Sequence, residues 1–347
     1  MEFVEIHNDS VRNLQLLSLL CEIDCHVSVL ASYMRSSQAR RQAIAAAFAP
    51  TIVAPRELRR EKLQSFAGLG AYVNDADLLA ATGEPLLRET ARSLLVRAYG
   101  VCPNGLRGAL ARSKASPPRY YIDLFLTFAL PDRRAMAKAL LHEPIIDYQM
   151  LRAIQKIPSW MLAPGIASKL AQTDVDELLS AVQLLQECTD ATPQDFARSL
   201  PLKSTLSRPF DHWIAKWLRK ANLPAGPLGP DQFLQQIQTV RELHVVSKRM
   251  RSCLATKALE ALSGEACYYL WTAGKQEHVI ELLMKGHWVL GDIHAPRNAS
   301  VDAEVRLEVS GLLASLGISA RRSPPSDKWA PLRRVVHRST VYADFFE

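Results

Sequence analysis

Eight residues, Leu223-Pro-Ala-Gly-Pro-Leu-Gly-Pro230, contain three prolines and two glycines. Neither a helix nor a central strand passes through such a stretch, because each proline lacks an N–H and fixes φ while each glycine leaves the backbone loose. The segment reads as a linker at 223–230 and separates two parts of the chain with different periodicities. Before it, residues 1–222 read as helix after helix, a helical bundle or short solenoid. Val11, Leu14, Leu17, Leu20 and Ile23 recur at helical spacing, with Asp9 or Ser10 placed as N-cap. Ser37 to Phe48 is rich in Ala and Arg, and Pro55 opens a further helix at the first-turn position proline favours. Segments near 75–81, 84–98, 103–113, 119–129 and 131–142 follow, each bounded by Gly, Pro or Asp. No strict period emerges, so no TPR, HEAT or ankyrin array is implied. Tyr120, Tyr121, Phe125, Phe128 and Trp160 are expected in the core.

After the linker the pattern changes. Asp231 is placed to cap a helix through Phe233, Ile237 and Val240, and a second helix covers Met250 to Leu262, ended by Ser263-Gly264. The hydrophobic period then falls from 3.6 towards 2. Ala266–Thr272, His278–Met284 and His287–Ile293 read as three strands, joined by turns at 273–276 and 285–286 into a β-meander. Val301 to Leu316 returns to helix. The expected fold is therefore mainly α: an irregular helical N-terminal domain plus a small α+β domain at 231–320, of order α-α-β-β-β-α with a three-stranded antiparallel meander. Residues 321–347 form a basic, Pro-containing tail. Its Trp329 and closing Tyr342-Ala-Asp-Phe-Phe346 favour docking over a free extension.

Composition narrows the function classes. With 48% hydrophobic and 22% charged residues the chain is globular rather than disordered. No run of eighteen apolar residues suggests a membrane span, and the opening Met-Glu-Phe-Val-Glu lacks the basic start of a signal peptide, so a cytoplasmic protein is expected. Of the six cysteines, Cys21, Cys25, Cys102, Cys188, Cys253 and Cys267, none forms a CxxC pair. Cys21 and Cys25 share a helix face beside His26, yet no second ligand pair accompanies them, so buried core thiols are expected. No P-loop, GxGxxG, GxSxG or HExxH signature occurs, and Gly68 and Gly70 lack the strand-before, helix-after setting of a nucleotide loop. No cofactor and no metal are implied. Residues 201–347 hold 20 Lys+Arg against 14 Asp+Glu, so six of the seven excess positive charges lie there. Such a surplus points to DNA, RNA or another polyanion as partner.

The densest polar constellation lies in the same part of the chain. It comprises Ser247-Lys-Arg-Met-Arg-Ser-Cys253, Gly264-Glu265, Tyr268 and Tyr269, Glu281 within an apolar strand, and Asp292-Ile-His-Ala-Pro-Arg-Asn298. Cys253 follows Lys248, Arg249 and Arg251, whose charge would favour a thiolate nucleophile, with His294 or His244 as its base. The alternative is a buried Cys253 on the apolar face of its helix, with the basic residues facing water. Glu281 either faces solvent by strand alternation or is paired with Arg297 or Lys248. Asp292, His294 and Arg297 stand where a loop can present them together.

Met-x-x-Cys, a helix ending Ser-Gly-Glu, a Tyr-containing strand, a strand with Glu-Leu and a polar loop ending in Asn occur here in that order. Over about residues 244–300 this resembles the C-terminal region of the PcfJ-like proteins, found on conjugative plasmids and other bacterial mobile elements. Met250, Cys253, Gly264, Tyr268 or Tyr269, Glu281 and Asn298 are the matching positions. Members usually carry His directly before the Cys, where this chain has Ser252, and Gln six residues before the Asn, where it has Asp292.

Three functions are consistent with these residues. The first is a mobile-element accessory protein that binds nucleic acid or a nucleoprotein complex, with Lys248, Arg249, Arg251, Arg297, Arg321 and Arg322 on phosphates. The second is a toxin- or defence-type enzyme with a site of Cys253, Glu281, Asp292, His294 and Asn298. The third is a scaffold that docks a protein partner through residues 1–222.

Overall fold

The computed structural model describes residues 3–68, 70, 72–229, 234–273, 276–318 and 332, and the chain divides into two units, 1–172 and 173–347. The first unit is helical: α1 Phe3–Asp24, α2 Leu30–Arg35, α3 Gln38–Val53, α4 Arg56–Ala67, α5 Asp75–Arg88 and α6 Ala91–Tyr99. It continues with α7 Leu106–Arg112, α8 Pro118–Ala129, α9 Arg134–Leu140, α10 Tyr148–Lys156 and α11 Ile166–Leu170. At its centre is α3. Ser37 caps it by accepting from the Arg40 amide at 3.3 Å, and Ala43 to Ala49 are apolar on every side. A helix of that kind has no face to give to water and must be surrounded. All seven residues are buried, and α1, α2, α4, α6, α7 and α8 contact the helix. Leu20, Ile23, Ile44, Phe48, Phe66 and Leu94 form the core around it.

Tyr120 and Tyr121 are buried as expected, Tyr121 donating to Gln42 at 2.6 Å, whereas Phe125, Phe128 and Trp160 are half-buried. Cys21 and Cys25 are exposed, contrary to the expectation of core thiols. Helix α1 turns Leu20 and Ile23 inward, while Cys21, one residue after Leu20, and Cys25, two residues after Ile23, face out. The expected break before residue 84 is also displaced. Helix α5 runs through Pro85 to Arg88, and the next helix starts where Thr90 caps the Ser93 amide at 3.2 Å.

The second unit begins with α12 Val175–Cys188, α13 Pro193–Arg198 and α14 Pro209–Leu218. Trp213 and Trp217 of α14 both donate their indole N–H to Ser199 at 2.9 Å, and Phe196 stacks on Trp217. These helices join directly to the sheet region. The Asn222 amide donates to the Cys188 carbonyl and the Leu223 amide to the Gln238 carbonyl, each at 2.7 Å. The expected linker at 223–230 thus falls inside a unit that starts at residue 173, and its described part is docked. Gln236 holds the Pro224 carbonyl and the Gly226 amide, the Leu228 amide donates to the Tyr269 hydroxyl at 3.0 Å, and Leu228 joins the core.

The sheet consists of β1 Leu234–Gln236, β2 Ala266–Ala273, β3 Gln276–Met284 and β4 Trp288–His294, antiparallel in the order β1-β2-β3-β4. The three expected strands are present, and β1 adds a fourth where a helix from Asp231 was expected. Leu234 is buried among Tyr269, Trp271 and Ile280 while Gln235 is exposed, so alternation wins over the weak helical spacing of this segment. The helix starts later, as α15 Val240–Met250, with Thr239 accepting from the Glu242 amide and Glu242 accepting from the Gln238 amide. The second expected helix is interrupted too. Arg251, at φ 50°, ends α15, a 3-10 turn spans Cys253–Lys257, and only α16 Ala258–Leu262 is α-helical. Ser247 stabilises this junction by donating to the Ser252 carbonyl and accepting from the Ala255 amide.

Strand parity sorts the sheet into two faces. Cys267, Tyr269, Trp271, Ile280, Leu282 and Ile293 pack with Val309 and Leu313 of α17, Ala303–Ser315. Tyr268, Glu281 and His294 lie on the other, towards the 3-10 turn that carries Lys257. Among the described residues, no helix is long and apolar enough to cross a membrane.

Candidate functional site

Glu281 occupies the centre of β3 between Val279-Ile280 and Leu282-Leu283, with Tyr268 opposite it on β2 and Asp292 opposite it on β4. Alternation turns its carboxylate to the face away from α17, and there it is 5% exposed. A carboxylate so far from water must be compensated by hydrogen bonds and positive charge. Tyr268 donates its hydroxyl to Oε1 at 2.8 Å, and His294 Nε2 lies 3.2 Å from Oε2. The expected partners, Arg297 and Lys248, are therefore replaced by a tyrosine on one neighbouring strand and a histidine on the other. Burial pushes the Glu281 carboxyl up. The hydrogen bonds from His294 and Tyr268, with the charges of His294 and Lys257, outweigh it and hold the group below its ordinary value. Burial and the adjacent carboxylate push Tyr268 far above the ordinary phenol range, so it stays a donor. The result is a fixed anion that orients an imidazole, the relation by which a carboxylate prepares a histidine for proton transfer.

The spacing on β4 depends on a bulge. Glu281 pairs with Asp292 but Leu282 pairs with Leu290, which leaves Gly291 as the extra residue. A Cβ at Gly291 would sit 2.7 Å from Leu283 Cγ and 3.2 Å from Glu281 Cγ. Gly291→Ala should cost about 1–2 kcal/mol through overpacking, read as a lower urea midpoint at unchanged slope. A midpoint equal to wild type would mean that the bulge does not hold the site.

The remaining candidates are distributed differently. Cys253 is exposed at the start of the 3-10 turn, not buried on an apolar helix face, because the break at Arg251 rotates it outward. It lies within electrostatic reach of Lys257, which in turn acts on Glu281. Buried Cys267, by contrast, has its thiol pushed up to about 12 by desolvation. Asp292 does not join Glu281; its exposed carboxylate accepts from the Ile293 amide and lies 3.8 Å from Arg306. His244 is half-buried, and burial with the charges of Arg219 and Lys248 pushes its pKa down. Asn298 is exposed, its amide donating to the Ala295 carbonyl.

Lys248, Arg251 and Arg297 are exposed, while Arg249 is committed to an ion pair with Glu277 at 3.1 Å. Arg321 and Arg322 lie outside the described residues. Helix α15 contacts the turn at 296–298. Among the described residues the non-glycine positions with positive φ are Arg251, Arg297 and Asn298, all at this corner. Left-handed backbone at non-glycine residues is strained and concentrates at working sites.

Sequence reasoning missed Lys257 and Gly291. Lys257 stands four residues after Cys253, but only the 3-10 turn brings its charge to the strand; an isolated glycine inside a strand pattern was the available signal for the bulge. The chain matches no protein-family model, no curated protein and no solved structure.

Proposed function

We propose that the second unit binds a nucleic acid on its basic corner and performs acid–base chemistry there with His294, oriented by Glu281. The observation that carries this reading is the buried Glu281 carboxylate held between Tyr268 and His294. A strand in a purely structural sheet gains nothing from a desolvated carboxylate that an apolar residue would not supply more cheaply. Lys248, Arg251 and Arg297 position phosphates without reading bases, and Lys257, ion-paired with Glu260 at 3.1 Å, adds its field at the carboxylate. The reaction class is phosphodiester cleavage: His294 takes the proton of the attacking water, or in RNA of the neighbouring 2′-hydroxyl, as the new P–O bond forms, and the P–O bond to the leaving oxygen breaks as that oxygen takes up a proton. On the resemblance of residues 244–300 to PcfJ-like proteins, the activity would serve a bacterial mobile element.

The test uses labelled RNA, single-stranded DNA and duplex DNA with the full chain. Replacing Lys248, Arg251 and Arg297 together by Ala should weaken binding and flatten the plot of log K against log salt by roughly 2–3. Glu281→Gln and His294→Gln should bind as wild type but turn substrate over at least about 100-fold more slowly. No binding at low salt, an unchanged slope, or turnover unaffected by both substitutions would overturn the reading.

The exposure of Cys253 beside Lys257 supports a second one, a toxin- or defence-type effector with Cys253 as nucleophile. Cys253→Ala distinguishes the two, since it abolishes turnover only if the thiol attacks.

A further inference from the structure

In the first unit, the loop at 101–104, the end of α8 and helix α9 enclose an open groove of about 640 Å³. Its apolar surface includes Val101, Phe128, Leu130 and Leu141, of which Val101, Leu130 and Leu141 are 51%, 37% and 39% exposed. Large apolar side chains gathered around one concavity mark a binding surface, whereas the same residues scattered singly would not. The groove is built into the fold. Gly105, at φ 88°, brings the loop so close to Phe128 that a Cβ there would sit 2.9 Å from the ring.

One wall is cationic. Arg134 and Lys138 are exposed and one turn apart on α9, and among the described residues no Asp or Glu lines the groove and neither cation is ion-paired. Two positive charges spaced by one helical turn, above an apolar floor, match a ligand with two carboxylates at the same spacing and apolar side chains beside them. A fatty acid offers a single carboxylate and leaves one cation unmatched. An amphipathic helix with Asp or Glu at i and i+3 or i+4 supplies both charges and the apolar face.

We infer that this groove docks an acidic amphipathic helix of a protein partner. The inference is independent of the chemistry of the second unit. It is tested by selecting a displayed library of random helical 16-residue peptides on the full chain and measuring one enriched peptide by fluorescence anisotropy. The enriched peptides should carry two acidic residues three or four apart beside an apolar stripe. Arg134→Glu with Lys138→Glu should weaken the chosen peptide roughly tenfold or more, and Ala137→Trp, which fills the groove, should remove its binding. Circular dichroism of each variant confirms that the helices persist. Enriched peptides without acidic bias, affinities unchanged in both variants, or a groove that binds oleate and no peptide would overturn the inference.

Discussion

Replacing Glu281 by alanine is expected to lower stability by about 3–5 kcal/mol, the cost of breaking a buried, hydrogen-bonded charged group. The loss comes from two sides. The Tyr268 hydroxyl, on a residue that is fully buried, is left without its acceptor, and His294 loses the group that holds its ring. Glu281→Gln keeps the shape and can still accept from Tyr268, so about 1–2 kcal/mol is expected for it. The two variants also separate charge from shape in their pH dependence. Because the folded Glu281 carboxyl is held below its ordinary value of 4.5, its contribution is present above that value and is lost as pH falls through the lower, folded one. Urea midpoints measured between pH 6 and about pH 3 should therefore fall more steeply for wild type than for Glu281→Gln. Parallel profiles would show that Glu281 is not the depressed carboxylate of this sheet.

The second large effect lies in the proline- and glycine-rich stretch. A Cβ at Gly226 would run into the Tyr269 hydroxyl and come within 3.2 Å of Cys267 Sγ. Tyr269 is fully buried, and its hydroxyl bonds the Leu228 backbone, so it has nowhere to move. Gly226→Ala should cost about 2–4 kcal/mol, overpacking plus a displaced buried hydrogen bond. Gly229→Ala, three residues on, meets nothing within 4 Å and should stay within about 0.5 kcal/mol of wild type. Urea midpoints followed by tryptophan fluorescence decide the matter. Equal midpoints for the two variants would mean that the stretch is a free linker after all. The consequence reaches the site, because Tyr269 precedes no gap in β2: shifting it disturbs the register by which its neighbour Tyr268 faces Glu281.

Much of this architecture is legible residue by residue. The alternation Ala266 to Thr272, the period-2 run through Glu281 and the helical spacing around Leu20 and Ile23 each declare a local geometry, since side-chain direction follows directly from backbone period. Caps are equally local: Ser37, Thr90 and Thr239 bond amides three residues away. What failed did so for two reasons, a strand partner distant in sequence and a backbone conformation that apolar spacing does not reveal. Leu234 to Gln236 became a strand because β2 was there to pair with it, and no property of three residues encodes that. Cys253 turned outward because a single left-handed residue, Arg251, ended a helix that the apolar spacing would have continued.

By itself the sequence determined that the chain is mainly helical with one small antiparallel sheet, that its positive charge is concentrated after residue 200, and that Glu281 stands within an apolar strand. Only the tertiary structure decided that this carboxylate meets Tyr268 and His294 rather than Arg297 or Lys248, that Lys257, paired with Glu260, acts on it through its charge, and that Asp292 and Asn298 do not join it. Periodicity sets which face of a strand a side chain takes. Which groups wait on that face depends on register, bulges and the packing of elements distant in sequence.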